Sequence, residues 1–127
     1  MSPVRYYTQR DGAHYAGVHL LVDLHGAQRL DDPAHVAQVL VQAAQDAGCT
    51  IVHQHFHHFG AGTGVTGVLL LAESHISIHT WPETGYAAVD VFMCGRCNPH
   101  AALSAWRAGF AVADMAVQEM LRGPYAR

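Results

Sequence analysis

The sequence predicts an α+β fold, a two-layer α/β sandwich built on a mainly antiparallel sheet with two helices on one face. Three observations carry this. Strand-like and helix-like segments follow one another in the order β-α-β-β-β-β-α-β. The connections among the middle strands are too short for parallel crossovers, so those strands must pair antiparallel. Two segments have helical character and form the second layer.

Taken in order, residues 1–15 read as a loose polar lead-in. His19 to Leu24 is a first strand, ended by Gly26. Asp31-Asp32-Pro33 carries helix-start chemistry, an acidic cap with proline in the first turn. Val36, Val39, Leu40, Ala43, Ala44 and Ala47 then recur at helical spacing, and Gly48 stops the helix. Cys49 to His58 is a second strand, Gly60-Ala61-Gly62-Thr63-Gly64 a flexible turn, and Val65 to Ala72 a buried strand. His75 to Thr80 alternates as the next strand. Trp81-Pro82-Glu83-Thr84-Gly85 is a turn and Tyr86 to Met93 a further strand. Cys94 to Pro99 is a loop, His100 to about Ala111 a second helix, and Met115 to Leu121 a last strand, although its Met, Ala, Gln and Glu would also suit a helix. Helices on one side leave the other sheet face uncovered, and a homodimer packed sheet against sheet is the simplest cover.

Composition narrows the function. The 127 residues suit a single domain, half of them are hydrophobic and 13% are charged. The net charge is −3 and no basic patch is present, which argues against nucleic acid or an anionic membrane as partner. No apolar run approaches a membrane span. Met1 to Asp11 lacks the apolar region of a signal peptide, so the expectation is a cytoplasmic protein. There are eleven histidines and no lysine. The chain therefore cannot hold pyridoxal phosphate as an internal Schiff base or use a lysine amine as nucleophile.

Several constellations need weighing. His53, His55 and His57 share one strand face. They could hold a metal, but strand neighbours on one face are not by themselves a chelate, and a half-solvated polar face without metal is the preferred reading. Cys94-Gly95-Arg96-Cys97 is a CxxC outside any thioredoxin-like context. It reads as one functional cysteine, Cys94, beside an incidental neighbour. With Cys49 the cysteines are an odd set and do not suggest a disulfide framework. The Gly-rich turn precedes a strand rather than a helix, so it is not a phosphate cradle. Ser74 lacks a Gly-x-Ser-x-Gly elbow. It lies five residues from His79, so on one strand the two face opposite ways. They can act together only if the chain breaks at Ser74 or if His79 comes from another subunit.

The run from Glu73 to Glu83 (Glu-Ser-His-Ile-Ser-Ile-His-Thr-Trp-Pro-Glu) is followed by Gly85-Tyr86-Ala87-Ala88-Val89-Asp90-Val91-Phe92 and Cys94-Gly95. With Phe56-His57-His58-Phe59 and Gly64-Val65-Thr66-Gly67-Val68, it resembles the short, pyruvoyl-dependent S-adenosylmethionine decarboxylase proenzymes of prokaryotes. The resemblance spans about Gly17 to Pro99. It implies self-cleavage of the single 1–127 domain between Glu73 and Ser74 into residues 1–73 and 74–127. Ser74 would become a pyruvoyl group, the electron sink that a lysine-free decarboxylase needs. The implied enzyme is a carboxy-lyase that converts S-adenosylmethionine to CO₂ and the aminopropyl donor of spermidine and polyamine biosynthesis.

Site roles follow from the same resemblance. Ser74 matches the pyruvoyl precursor and Schiff-base carrier, His79 the processing base, and Cys94 the proton donor. Thr66 matches a hydroxyl that assists processing. Glu83 matches the carboxylate that binds ribose hydroxyls, Phe59 an aromatic that stacks on adenine, and Tyr15 its opposite partner. The family's sites lie at a homodimer interface, with Ser74 and Cys94 from one subunit and Thr66, His79, Glu83 and Phe59 from the other. The sequence departs from the pattern at Thr66 for serine, at Thr84 for tyrosine, at Asp23 for glutamate and in a longer Gly-rich turn. An arginine or ornithine decarboxylase on the same fold is the alternative. A non-enzymatic metal-binding protein built on the histidines and the CxxC is the alternative of another class.

Overall fold

The computed structural model describes residues 8–125. Their elements run β1 (Thr8–Arg10), β2 (Ala13–His25), α1 (Pro33–Asp46), β3 (Ile51–His58), β4 (Val65–Leu71), β5 (Ser74–Trp81), β6 (Tyr86–Met93), a 3-10 turn (Pro99–Ala102), α2 (Leu103–Gly109) and β7 (Asp114–Tyr125). All ladders are antiparallel. β6 and β7 both pair with residues 18–24 of β2 and so occupy its opposite edges. The sheet order is therefore β7-β2-β6-β5-β4-β3, with β1 folded back on the start of β2.

α1 begins where the sequence supplies its cap. The Asp32 carboxylate accepts the His35 backbone N–H at 3.1 Å, and Pro33 fills the first turn. That bond, with a second from Arg29, holds the Asp32 carboxyl below its ordinary pKa. Gly48, at φ 80°, lets the chain leave the helix in a conformation that costs other residues.

Period-two alternation divides the sheet. Val18, Leu20, Val22 and Leu24 of β2, Leu69 of β4, Ile76 and Ile78 of β5 and Val89 and Val91 of β6 are all buried on one face. Val36, Leu40, Ala43 and Ala44 of α1 and Trp106 of α2 close over them, with Phe110 just beyond. Phe56 lies where a side chain at Gly67 would stand, which ties β3 to β4. Thr80, a polar residue on this face, is satisfied: it donates to the Leu30 carbonyl and accepts the Val65 N–H, both at 2.8 Å. The opposite face bears His19, Asp90, His75 and His79. Leu21, Leu70, Trp81 and Met120 stand exposed on it as well.

The expected strands and helices are present, with three corrections. The polar lead-in contains β1 and the start of β2, joined by a tight turn at Asp11 and Gly12 (φ 54° and 82°). Asp-Gly is a strong two-residue hairpin signal, and the polarity of its flanks obscured it. The second helix opens as a 3-10 turn, capped by the Asn98 side chain on the His100 N–H. The last strand is longer than expected because β7 follows β2 from His25 to His14. No helix among the described residues is long and apolar enough to cross a membrane.

Trp106 is fully buried, and its indole N–H has no partner among the described residues. Trp106→Ala should lower unfolding free energy by about 3–5 kcal/mol. Trp106→Phe should cost less, because no hydrogen bond is lost. Urea titration of the two variants checks the order.

Candidate active site

β4 and β5 form a hairpin in which Leu71 pairs with Ser74, leaving Ala72 and Glu73 as the turn. Glu73 sits at φ 68°, a left-handed conformation that costs a non-glycine residue about 1–3 kcal/mol. Ser74 opens β5 on the side that carries Ile76 and Ile78. Pairing of His75 with Phe92 brings Cys94, one residue beyond β6, alongside Ser74. The Cys94 backbone N–H donates to Ser74 Oγ at 3.3 Å, and the two side chains lie 3.9 Å apart. The Cys94 thiol donates to the Glu73 carbonyl oxygen at 2.8 Å.

Burial pushes the Cys94 thiol above its ordinary pKa; the bond from Ser74 opposes this and the Glu73 charge adds to it. The sulfur therefore keeps its proton at neutral pH. Glu73 and Cys94, together with Thr50, Arg96 and Cys97, line a cleft of about 310 Å³.

A second group gathers at the other end of β5. Thr66 pairs with His79 across the β4–β5 ladder, and Thr66 Oγ1 lies 3.2 Å from His79 Nδ1. A cleft of about 390 Å³ there is lined by Phe59, Thr66, His79 and Glu83, with Thr63 and Trp81. The Phe59 N–H to Gly64 carbonyl bond, 3.1 Å, closes the Gly-rich turn, and the exposed Phe59 ring packs edge-on against His57. Five residues of strand place His79 about 17 Å along β5 from Ser74, on the opposite face.

Within one chain, then, Glu73, Ser74 and Cys94 are together, and Thr66, His79, Glu83 and Phe59 are together, but the two groups are apart. Within one chain Tyr15 does not meet Phe59, the aromatic expected opposite it. Its ladder partners are Thr8 and Pro124, at the Cys94 end of β2 and away from Phe59.

Residues 18–123 match the family model for S-adenosylmethionine decarboxylase. The chain belongs to that family. Among its relatives is the S-adenosylmethionine decarboxylase proenzyme of Moorella thermoacetica, 44% identical over 110 residues that cover 84% of this chain and 87% of the relative. The proenzyme of Acidithiobacillus ferrooxidans is 48% identical over 95 residues, covering 74% and 71%. The crystal structure of the adenosylmethionine decarboxylase from Aquifex aeolicus VF5 superposes with a TM-score of 0.75 at 37% identity, covering 84% of this chain and 90% of that one.

Three features of this decarboxylase-family chain escaped the sequence reading. Trp81 and Thr63 join the second cleft, an outcome that alternation from His79 and closure of the Gly-rich turn would have indicated. Cys97 is not an incidental neighbour of Cys94, because it is bonded to Cys49; the two meet only through the fold. The third is a polar network on the uncovered face. Asp90 Oδ2 accepts His19 Nε2 at 2.7 Å and His75 Nε2 at 3.0 Å, while Ser77 donates to the other carboxylate oxygen. Arg122 approaches His19 Nδ1 at 3.0 Å, which fixes the His19 proton on Nε2.

The three expected face-sharing histidines, His53, His55 and His57, lie opposite Leu70, Val68 and Thr66 in the β3–β4 ladder. Among the described residues, the His and Asp atoms close enough together to share a ligand are instead those of His19, His75 and Asp90. Those atoms already face one another in hydrogen bonds.

Burial works to raise the Asp90 pKa, but the bonds from Ser77, His19 and His75 outweigh it and hold the carboxyl below its ordinary value. A depressed carboxyl stabilises the fold above its unfolded pKa, about 4, and that stability is lost as pH falls through the folded value. Asp90→Asn should therefore flatten the fall in urea midpoint below about pH 4. An unchanged acid profile in the variant would remove the network as its source.

Proposed function

We propose that this chain cleaves itself between Glu73 and Ser74 and then decarboxylates S-adenosylmethionine with a pyruvoyl group made from Ser74. The convergence of Ser74 Oγ, the Glu73 carbonyl and the Cys94 thiol supports this most directly. Attack of Ser74 Oγ on the Glu73 carbonyl carbon breaks the peptide C–N bond, leaves an ester and moves the serine proton to the freed amine. The Cys94 S–H already points at the oxygen on which negative charge develops. The left-handed Glu73 backbone is relieved when the bond breaks. Removal of the Ser74 Cα proton then expels the Glu73 carboxylate, and hydrolysis with loss of ammonia leaves residues 74–127 with a pyruvoyl end.

The residues around Ser74 fit this group: the Cys94 N–H already donates to the Ser74 oxygen, and the chain has no lysine to hold pyridoxal phosphate in its place. When present, the pyruvoyl carbonyl supplies the electron sink for loss of CO₂. Cys94 holds a proton beside it, and a thiol whose pKa is raised by burial keeps that proton until it is needed. Glu83 and Phe59 line the cleft that would receive the nucleoside part, with Glu83 on the ribose hydroxyls and Phe59 against adenine. His79 serves as the base of the ester stage, with the Thr66 hydroxyl orienting it.

One chain leaves His79 on the wrong face, so we assign the complete site to a homodimer in which a second copy brings Thr66, His79, Glu83 and Phe59 to Ser74. The exposed Leu21, Leu70, Trp81 and Met120 give the uncovered face the apolar character that such packing needs. A polyamine-synthetic, cytoplasmic setting goes with this reading.

Intact-mass measurement under reducing conditions should find residues 1–73 and a blocked 74–127, while Ser74→Ala stays a single chain of 13.7 kDa. A wild-type chain that remains whole on incubation overturns the reading. Cys94→Ala should still cleave, at a reduced rate, but release CO₂ about 10²–10⁴-fold more slowly. Full turnover in that variant would remove Cys94 as proton donor. Release of CO₂ from arginine or ornithine, but not from S-adenosylmethionine, would reassign the substrate.

A further inference from the structure

Cys97 stands three residues after Cys94 in the loop that leaves β6, and its sulfur is bonded to that of Cys49 with the Cα atoms 5.5 Å apart. That separation is within disulfide reach without backbone movement. Cys49 lies in the turn between α1 and β3. Hydrogen bonds tie the same turn to both sides of the cleavage region. The Asn98 N–H donates to the Ala47 carbonyl at 3.0 Å, and the Ala72 N–H donates to the Thr50 carbonyl at 2.9 Å. The α1–β3 turn, the β4–β5 turn and the Cys94 loop thus meet around one cleft, whose lining includes Glu73, Cys94 and Cys97.

We propose that the Cys49–Cys97 bond staples the two product chains across the cut at Glu73–Ser74, and that Cys97 is a positioning residue that holds Cys94 against the new chain end. Cys49 lies upstream of the cut and Cys97 downstream, so the bond joins residues 1–73 to residues 74–127. The two-chain form of the staple rests on the self-cleavage reading; the bond itself does not. Cys94, the one free cysteine, has only two residues of loop, Gly95 and Arg96, between itself and the staple. Its thiol and its backbone N–H both make contacts that depend on where that loop sits. Reduction opens the clasp: two electrons and two protons pass from a dithiol to the Cys49 and Cys97 sulfurs, and the dithiol leaves as its own disulfide. The loop is then held by hydrogen bonds alone, and Cys94 gains water.

The test begins with protein purified without reductant, denatured in iodoacetamide and weighed intact. The staple predicts one alkylated thiol and a single species containing both chains. Prior treatment with dithiothreitol should give three alkylated thiols and two separate chains. Cys97→Ser should give two separate chains without any reductant. Three alkylated thiols in the unreduced wild type would overturn the staple. Cleavage is scored on the reduced sample, so a chain that fails to cleave is told apart from a bond that fails to form.

Positioning is read by the pH dependence of Cys94 alkylation in the native protein, located by peptide mapping. Loss of burial lowers a thiol's pKa toward its ordinary value, so Cys97→Ser and dithiothreitol should both move the midpoint down. A midpoint unchanged in both would leave Cys97 without a positioning role.

Discussion

A β-strand turns successive side chains to opposite sides of its sheet, and that constraint organises everything else in this molecule. One side of each strand must serve the core, because Leu20, Ile76, Ile78 and Val91 are needed to bury the helices. Polar residues of the alternate phase then collect on the other side, where His19, His75 and Asp90 satisfy one another. Ser74 is in phase with the core residues and His79 is not. The same alternation that makes the fold stable therefore separates two residues that the proposed chemistry needs together. A single chain cannot relieve the conflict by a small shift, since a one-residue slip of β5 would turn Ile76 and Ile78 out of the core.

The β4–β5 turn shows how a stable sheet can hold a strained peptide unit. Ladder pairs on both sides, Leu71 with Ser74 and His75 with Phe92, fix the ends of the turn. Only two residues remain to reverse the chain, and Glu73 takes the unfavourable φ. Strain of this kind persists where the surroundings over-determine the backbone. Here the surroundings also place a thiol on the strained residue's carbonyl and a hydroxyl beside that thiol, so strain and polar chemistry meet at one peptide unit.

Much of this was legible in the sequence. Alternation in Tyr86 to Met93 gave that strand its observed limits, and the Asp32-Pro33 start of α1 was correct because capping is a local matter. The opposite facing of Ser74 and His79 also follows from spacing alone. What stayed hidden depends on long-range register. Pairing of Cys49 with Cys97 requires the end of α1 and the β6 loop to meet, and no local pattern announces that. The Asp90 network joins β2, β5, β6 and β7, so it becomes visible only once four strands are aligned. The place of Tyr15 along β2 depends on the same kind of register, because it is set by pairing with β1 and β7. The β1 hairpin differs: Asp11-Gly12 was a local signal, outweighed by the polar residues around it.

The strand order has one further consequence. Residues 1–73 supply β2, β3 and β4, and residues 74–127 supply β5, β6 and β7. In the sheet these do not sit as two blocks. β2 is inserted between β7 and β6, and β4 adjoins β5. A molecule cut after Glu73 is therefore interlaced along three hydrogen-bonded seams, and no single seam can open to release either piece. Such a nick changes the covalent count of the protein without creating two folding units, so the cut form should unfold as one cooperative body.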